Sequence, residues 1–320
     1  MYLRRFAERR GKESYACVHD TASLRLGVAT LCGPDYKGTA FDSNVRNIGA
    51  ISNFYTFRDE LGASSRAAET MLGRIETRAT RAFNALLDGS EYALPTQWPL
   101  SDTLRKAMAW WIAAQLLRTT RQRQRVNFVN SLVTPRSVDR LAAADVHVRY
   151  LVEQMAGLAY VIWSRPWGMA FTDACLLTSD CPVLILNGQD HDDQTVAASL
   201  RDVLVPLDSH RLLLLPGYEA RAADPAKRTD HLIKFEGMLG AFAVNCVLDA
   251  ADRHLFFHPS HRPLRFADLH HSPPLPKPWA GDTHDSPEVY LSYGVLPWGA
   301  TVERRWLSEH PPDRNVLGMP

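Results

Sequence analysis

A chain of 320 residues with 46% hydrophobic and 22% charged residues has ordinary globular composition, and it is long enough to bury a core without staples. Its five cysteines (Cys17, Cys32, Cys175, Cys181, Cys246) are odd in number, scattered and free of any C-x-x-C pair; this argues against a disulfide framework or a zinc knuckle and for a reducing compartment, so a cytoplasmic protein is expected. No apolar run approaches the ~20 residues a membrane span needs, and the basic start Met1–Arg10 lacks the apolar stretch of a signal peptide, so no membrane partner is expected.

The formal charge of +1 conceals an asymmetry. Residues 1–150 carry 22 basic against 14 acidic side chains, and residues 151–320 carry 14 against 21. A basic half attracts phosphate or nucleic acid, and it equally attracts its own acidic half.

Short strands are expected first: Tyr2–Phe6, then Ser14–His19 and Leu24–Ala29 as a hairpin across Asp20–Ser23. Residues 33–47, with Gly33-Pro34, read as a loop, and Ile48–Phe57 as a short strand or extended connection. A helix from about Arg66 to Leu87 follows Ser64 or Ser65 and stops at Gly89, with Leu72, Ile75, Ala79, Phe83 and Leu86 at helical spacing. Ser101 or Asp102 caps a second helix running to about Arg125, and Ser137 caps a third that continues towards Ile162. After Trp167 strands return: Ala174–Ser179, Val183–Leu186, a hairpin of Val203–Leu207 and Arg211–Leu215 across Asp208-Ser209-His210, and His254–His258, with a helix over Phe235–Leu248 before the last. The result is an α+β chain: a β element over 1–57, a helical layer over 64–165 and a mostly antiparallel sheet over 170–258 form one domain, 1–265. A Pro- and His-rich tail, 266–320, is expected to be irregular.

Several segments share one order: Tyr2-Leu3-Arg4-Arg5-Phe6-Ala7, Asn53-Phe54-Tyr55-Thr56, Glu69 and Glu76, Gln115-Leu116-Leu117-Arg118-Thr119, Thr178-Ser179-Asp180-Cys181-Pro182-Val183, Val205-Pro206-Leu207-Asp208 and Asn245. In that order the chain resembles the bacterial domain-of-unknown-function family 4238 over about residues 1–265. Members of that family open with a His-Tyr-Val-Pro stretch where this chain has Met1, so a shortened chain or a different start codon is expected. The resemblance implies an architecture and no activity.

The residues suggest one polar site. At 100° per residue Glu69 and Glu76 lie within roughly 20° of each other, with Glu76 at the edge of the apolar stripe. A carboxylate there needs a partner. On the second helix Gln115 and Arg118 share the face of Leu104, Met108 and Trp111, so an Arg118–Glu76 contact is expected. It reads either as a structural ion pair or as part of a cleft in which Arg118 grips a phosphate or carboxylate. Asp180 and Ser179 sit at a strand end before Pro182, which suits either a base or metal ligand or an Asx-type turn.

Combined, these give an enzyme acting on a phosphate-bearing substrate, with nucleic acid among the candidates. Asp180, Glu76 and Glu69 would be the base or the ligands of a divalent metal (magnesium or manganese), and Arg118, Gln115, Ser179, Asn53 and Tyr55 would bind substrate. The alternative is a non-catalytic binding or regulatory protein with Glu76–Arg118 as a structural pair. Arg118, Arg121, Arg123 and Arg125 read as a solvated helix end. The histidines of the tail lack zinc-site spacing, and no G-x-x-x-x-G-K-[ST], G-x-G-x-x-G or H-E-x-x-H motif occurs.

Overall fold

The computed structural model describes residues 2–20, 41–45, 48, 57–58, 64–87, 97–133, 143–172, 175–186, 198, 201–217, 229–235 and 237–260. Tyr2–Phe6 is a 3-10 turn rather than a strand. A strand would put Arg4 on the same face as Tyr2 and Phe6. The turn instead brings the two rings to 5.6 Å and leaves Arg4 exposed while Phe6 is buried.

Strands β1 (Glu8–Arg10) and β2 (Glu13–Asp20) form a hairpin around Gly11, whose φ of 65° only glycine adopts without strain. β2 also pairs with β3 (Phe41–Asn44), which overturns the expectation of a continuous loop over 33–47: Phe41–Asn44 is fixed by cross-strand pairing from Tyr15 to Val18, a partner its own composition does not announce. The expected Leu24–Ala29 strand lies outside the described residues. Two short strands, β4 (Phe57–Arg58) and β5 (Ser64–Ser65), pair with each other and lead into the helices.

Helix α1 spans Ala67–Leu86, close to the boundaries read from its apolar spacing. The Ser101 side chain caps α2 (Asp102–Leu117) by accepting from the Leu104 amide. The helix does not continue to Arg125. The Thr119 hydroxyl accepts the Gln122 amide and starts α3 (Thr120–Val133), while His147 takes the terminal carbonyl of Leu117. Helix α4 covers Ala143–Ser164. Every residue of α2 from Met108 to Leu117 is buried, so it is the central helix of its layer, packed on α1 and α4.

Strands β6 (Gly168–Thr172), β7 (Thr178–Ser179), β8 (Leu184–Ile185), β9 (Val203–Pro206), β10 (Arg211–Leu215) and β11 (His231–Phe235) follow, then α5 (Gly237–Ala250) and β12 (His254–Phe257). The β9–β10 hairpin forms as the sequence suggests, whereas β6 and β11 are additions to that reading. One sheet runs β1-β2-β12-β7, with β3 also on β2. The other runs β11-β6-β10-β9-β8, antiparallel except for β11 beside β6. Side chains of this second sheet alternate between two cores. Met169, Val203, Val205, Leu213 and Leu215 face the helical layer. Ala170, Leu204 and Leu212 face α5, together with Leu255 and Phe257 of β12. The chain is α+β, and among the described residues no helix is long and apolar enough to cross a membrane.

Candidate functional site

The α1–α2 seam carries two rungs. In the polar one, Arg118 donates from Nη1 to Glu76 Oε1 at 2.6 Å and from Nε to Gln115 Oε1 at 2.9 Å. Gln115 is 3% exposed and anchors the guanidinium from the core side. Arg118 sits at the C-cap of α2, so its side chain leaves the interior and crosses to the rim of α1. Its side chain is 28% exposed and that of Glu76 47%, which puts the pair at the rim of the seam. Glu69, two turns earlier on α1, pairs with Arg66 instead.

The aromatic rung lies seven residues further along α1 and seven back along α2, about 10.5 Å away at helical rise. Phe83 and Trp111 meet edge-on at 4.8 Å, and Tyr2 rests against both.

At the strand end, Asp180 accepts three backbone amides, from Asp252, Arg253 and His254, at 3.0, 2.7 and 3.2 Å. Its carboxylate closes the approach to β12. Burial raises its pKa against the pull of those amides, and neighbouring Asp252 adds to the rise. The Ser179 hydroxyl accepts the Cys181 amide and donates to the Cys181 carbonyl. Glu76, Glu69 and Asp180 therefore have three separate sets of partners. Asn53 and Tyr55 lie outside the described residues. Among those described, no three His, Cys, Asp or Glu side chains form a group that could hold a metal ion.

A second convergence escaped the reading by residue type. The Tyr2 hydroxyl donates to the Pro206 carbonyl at 2.6 Å and lies 2.8 Å from Thr178 Oγ1. Burial raises its pKa, Thr178 opposing. Next to it Asp208 takes the His210 and Arg211 amides and the Arg211 guanidinium, in a pair whose side chains are almost wholly buried. Arg5 donates to Asn84 Oδ1 at 2.6 Å, and burial lowers its pKa, with Asp208 opposing and Arg211 adding. The signal was present in the order of segments: Tyr2-Leu3-Arg4-Arg5-Phe6, Thr178-Ser179-Asp180 and Val205-Pro206-Leu207-Asp208 meet here. A tyrosine, a threonine and a proline carry no chemical motif that would have flagged them.

Residues 1–145 match the family described as protein of unknown function (DUF4238). The match takes in the N-terminal turn, α1, α2 and α3, and ends before the strands that bear Thr178 and Pro206. Neither a curated protein nor a solved structure matches the chain.

Proposed function

We propose that this chain is a non-catalytic binding or regulatory protein, in which Glu76–Arg118 is a structural pair. One observation carries this: each acidic side chain that a catalytic reading would use already has a structural task. Asp180 holds three amides of the loop before β12, Glu69 neutralises Arg66, and Glu76 completes the shell of an arginine anchored by Gln115. A general base needs a lone pair directed at a substrate proton, and a hard-metal site needs several oxygens converging on one point.

The test is thermal unfolding with and without magnesium or manganese, on the wild type and on Asp180→Ala. The same small response to either ion in both proteins supports the proposal. A metal-dependent rise in melting temperature that Asp180→Ala abolishes would overturn it in favour of a catalytic metal site. A double-mutant cycle of Glu76→Gln and Arg118→Gln adds a second readout, with coupling of at most about 1 kcal/mol for a pair this exposed.

A further inference from the structure

Arg5 is firmly placed and poorly compensated. Its neighbour Phe6 is fully buried, and Tyr2, one turn earlier, is fastened to the Pro206 carbonyl. Arg5 itself is half-buried, and among the described residues its one hydrogen bond runs from Nη2 to Asn84 Oδ1 at 2.6 Å, a neutral acceptor. Burial disfavours its charge, Asp208 favours it and Arg211 opposes it. Asp208 is already committed, to two amides and the Arg211 guanidinium. A second cation stands beside Arg5. Side chains of an α-helix lean toward its N-terminus, so Asn84 carries the Arg5 guanidinium back over the turn that bears Arg81. Arg81 is exposed and, among the described residues, has no ion-pair partner. Both acids of α1 are engaged elsewhere, Glu69 with Arg66 and Glu76 with Arg118. The C-terminal carbonyls of α1 attract the two arginines, but a helix end supplies only about half a negative charge against two positive ones. With Oδ1 committed to Arg5, the Asn84 amide nitrogen remains as a donor beside them.

From this arrangement we infer that Arg5, Arg81 and Asn84 bind a phosphate dianion at the C-terminal end of α1, carried by inorganic phosphate or by a small phosphomonoester. The inference rests on the binding reading above and names a ligand class for it. Two guanidiniums balance the two charges of such a group, and their planar forks offer its oxygens donors in pairs. A single carboxylate would leave one positive charge over. Asn84 suits this task because a neutral acceptor keeps Arg5 in place without cancelling its charge. A bound phosphate would tie the N-terminal turn to α1, so its binding should appear as added stability.

The experiment is thermal unfolding across titrations of inorganic phosphate and of phenyl phosphate at constant ionic strength, each fitted for an apparent Kd. It compares the wild type with Arg5→Gln, Arg81→Gln and, as control, Arg74→Gln. Arg74 is an exposed arginine two turns before Arg81 on the same helix, about 10.5 Å away, and its loss removes the same charge. Arg5→Gln and Arg81→Gln should each weaken binding about tenfold or more, because each removes charge-assisted hydrogen bonds. Arg74→Gln should bind like the wild type. Arg81→Gln alters an exposed position and should melt like the wild type without ligand, so it decides the question even where Arg5→Gln fails to fold. Tighter binding of inorganic phosphate identifies the free ion as the ligand, and tighter binding of phenyl phosphate a monoester; either supports the inference. No phosphate-dependent rise in the wild type, equal Kd in wild type and Arg81→Gln, or an equal loss in Arg74→Gln and Arg81→Gln would each overturn it. Release of phosphate from phenyl phosphate by the wild type would end the non-catalytic reading and leave the anion site standing. Intact phenyl phosphate with equal Kd in wild type and Arg81→Gln would end the anion site alone.

Discussion

The Tyr2 hydroxyl reaches the Pro206 carbonyl across 204 residues of sequence, at 2.6 Å. The first turn of the chain is thereby fastened to the β9–β10 hairpin, and through Thr178 to β7. The segment matched to the family, 1–145, contains only one side of this contact. A fragment ending there would lack the partners of Tyr2 and the strands β6, β9 and β10 that cover the helical layer.

Replacing Tyr2 by Phe removes the donor and strands a buried acceptor, at an expected cost of about 1–3 kcal/mol in urea unfolding. Burial raises the Tyr2 pKa above its ordinary value of 10.0, so the folded state keeps a proton that the unfolded state releases. The stabilisation is complete below pH 10 and declines above it. The decline should be shallower in Tyr2→Phe, which unfolding series at alkaline pH will show.

Asp180→Ala should cost about 2 kcal/mol, because three amides lose a charged acceptor. Asp180→Asn, which keeps one acceptor oxygen, should cost less. Hydrogen exchange adds a local signature: the amides of Asp252, Arg253 and His254 should exchange faster in the alanine variant than amides of α2.

His147 is fully buried and donates from Nε2 to the Leu117 carbonyl at 2.9 Å. Burial is the main force holding its pKa down to about 4 from 6.5, Arg123 adding to it and the Leu117 hydrogen bond opposing. Between those values the unfolded state binds the proton and the folded state does not, so stability falls as pH drops through that window. A shift of this size is worth about 3 kcal/mol at its limit. His147→Gln keeps an amide donor near the Nε2 position and cannot titrate. Its stability should fall less between pH 6.5 and 4 than that of the wild type.

Arg105 is 1% exposed, pairs with Asp230 at 2.6 Å, donates to the carbonyls of Trp163 and Arg165, and lies 4.2 Å over the Trp167 ring. Arg105→Ala leaves Asp230 as an unpaired buried charge and should destabilise by about 3–5 kcal/mol. Replacing both partners by apolar residues often restores stability in a simple buried pair. Here it should not, because the carbonyls of Trp163 and Arg165 and the Trp167 amide, which Asp230 accepts, would lose their partners. Denaturation of the Arg105→Met/Asp230→Leu double variant measures this.

Periodicity made the helical layer legible. Leu72, Ile75, Ala79, Phe83 and Leu86 recur on one side of α1, and those positions are buried. The β9–β10 hairpin was legible because two apolar runs flank a short polar turn. Wheel angles also indicated that Arg118 and Glu76 would approach each other, though they could not show that Arg118, as a C-cap, would turn out to the rim. The break at Thr119 was hidden because the polar run from Arg118 to Arg125 holds no glycine or proline to mark a stop, and a hydroxyl cap competes locally with helix propagation. The tasks of Asp180, Arg105 and Tyr2 depend on segments tens to hundreds of residues away, and no local pattern encodes those partners.

The sheet β11-β6-β10-β9-β8 has apolar layers against both of its faces. Sliding one strand by a single residue exchanges the two sets of side chains, and in a sheet wetted on one side water would penalise that at once. Over β6, β10 and β9 both faces are covered, so greasiness alone gives these strands little reason to prefer one alignment. The choice falls to features that cannot be shifted by one place. The Asp208 carboxylate clasps the hairpin bend, the Asp230 carboxylate receives the Trp167 amide at the entrance to β6, and Gly168 leaves room for Ile233, whose Cδ1 would lie 2.7 Å from an added Cβ. A few polar and bare positions thus act as the alignment marks of an otherwise interchangeable interior.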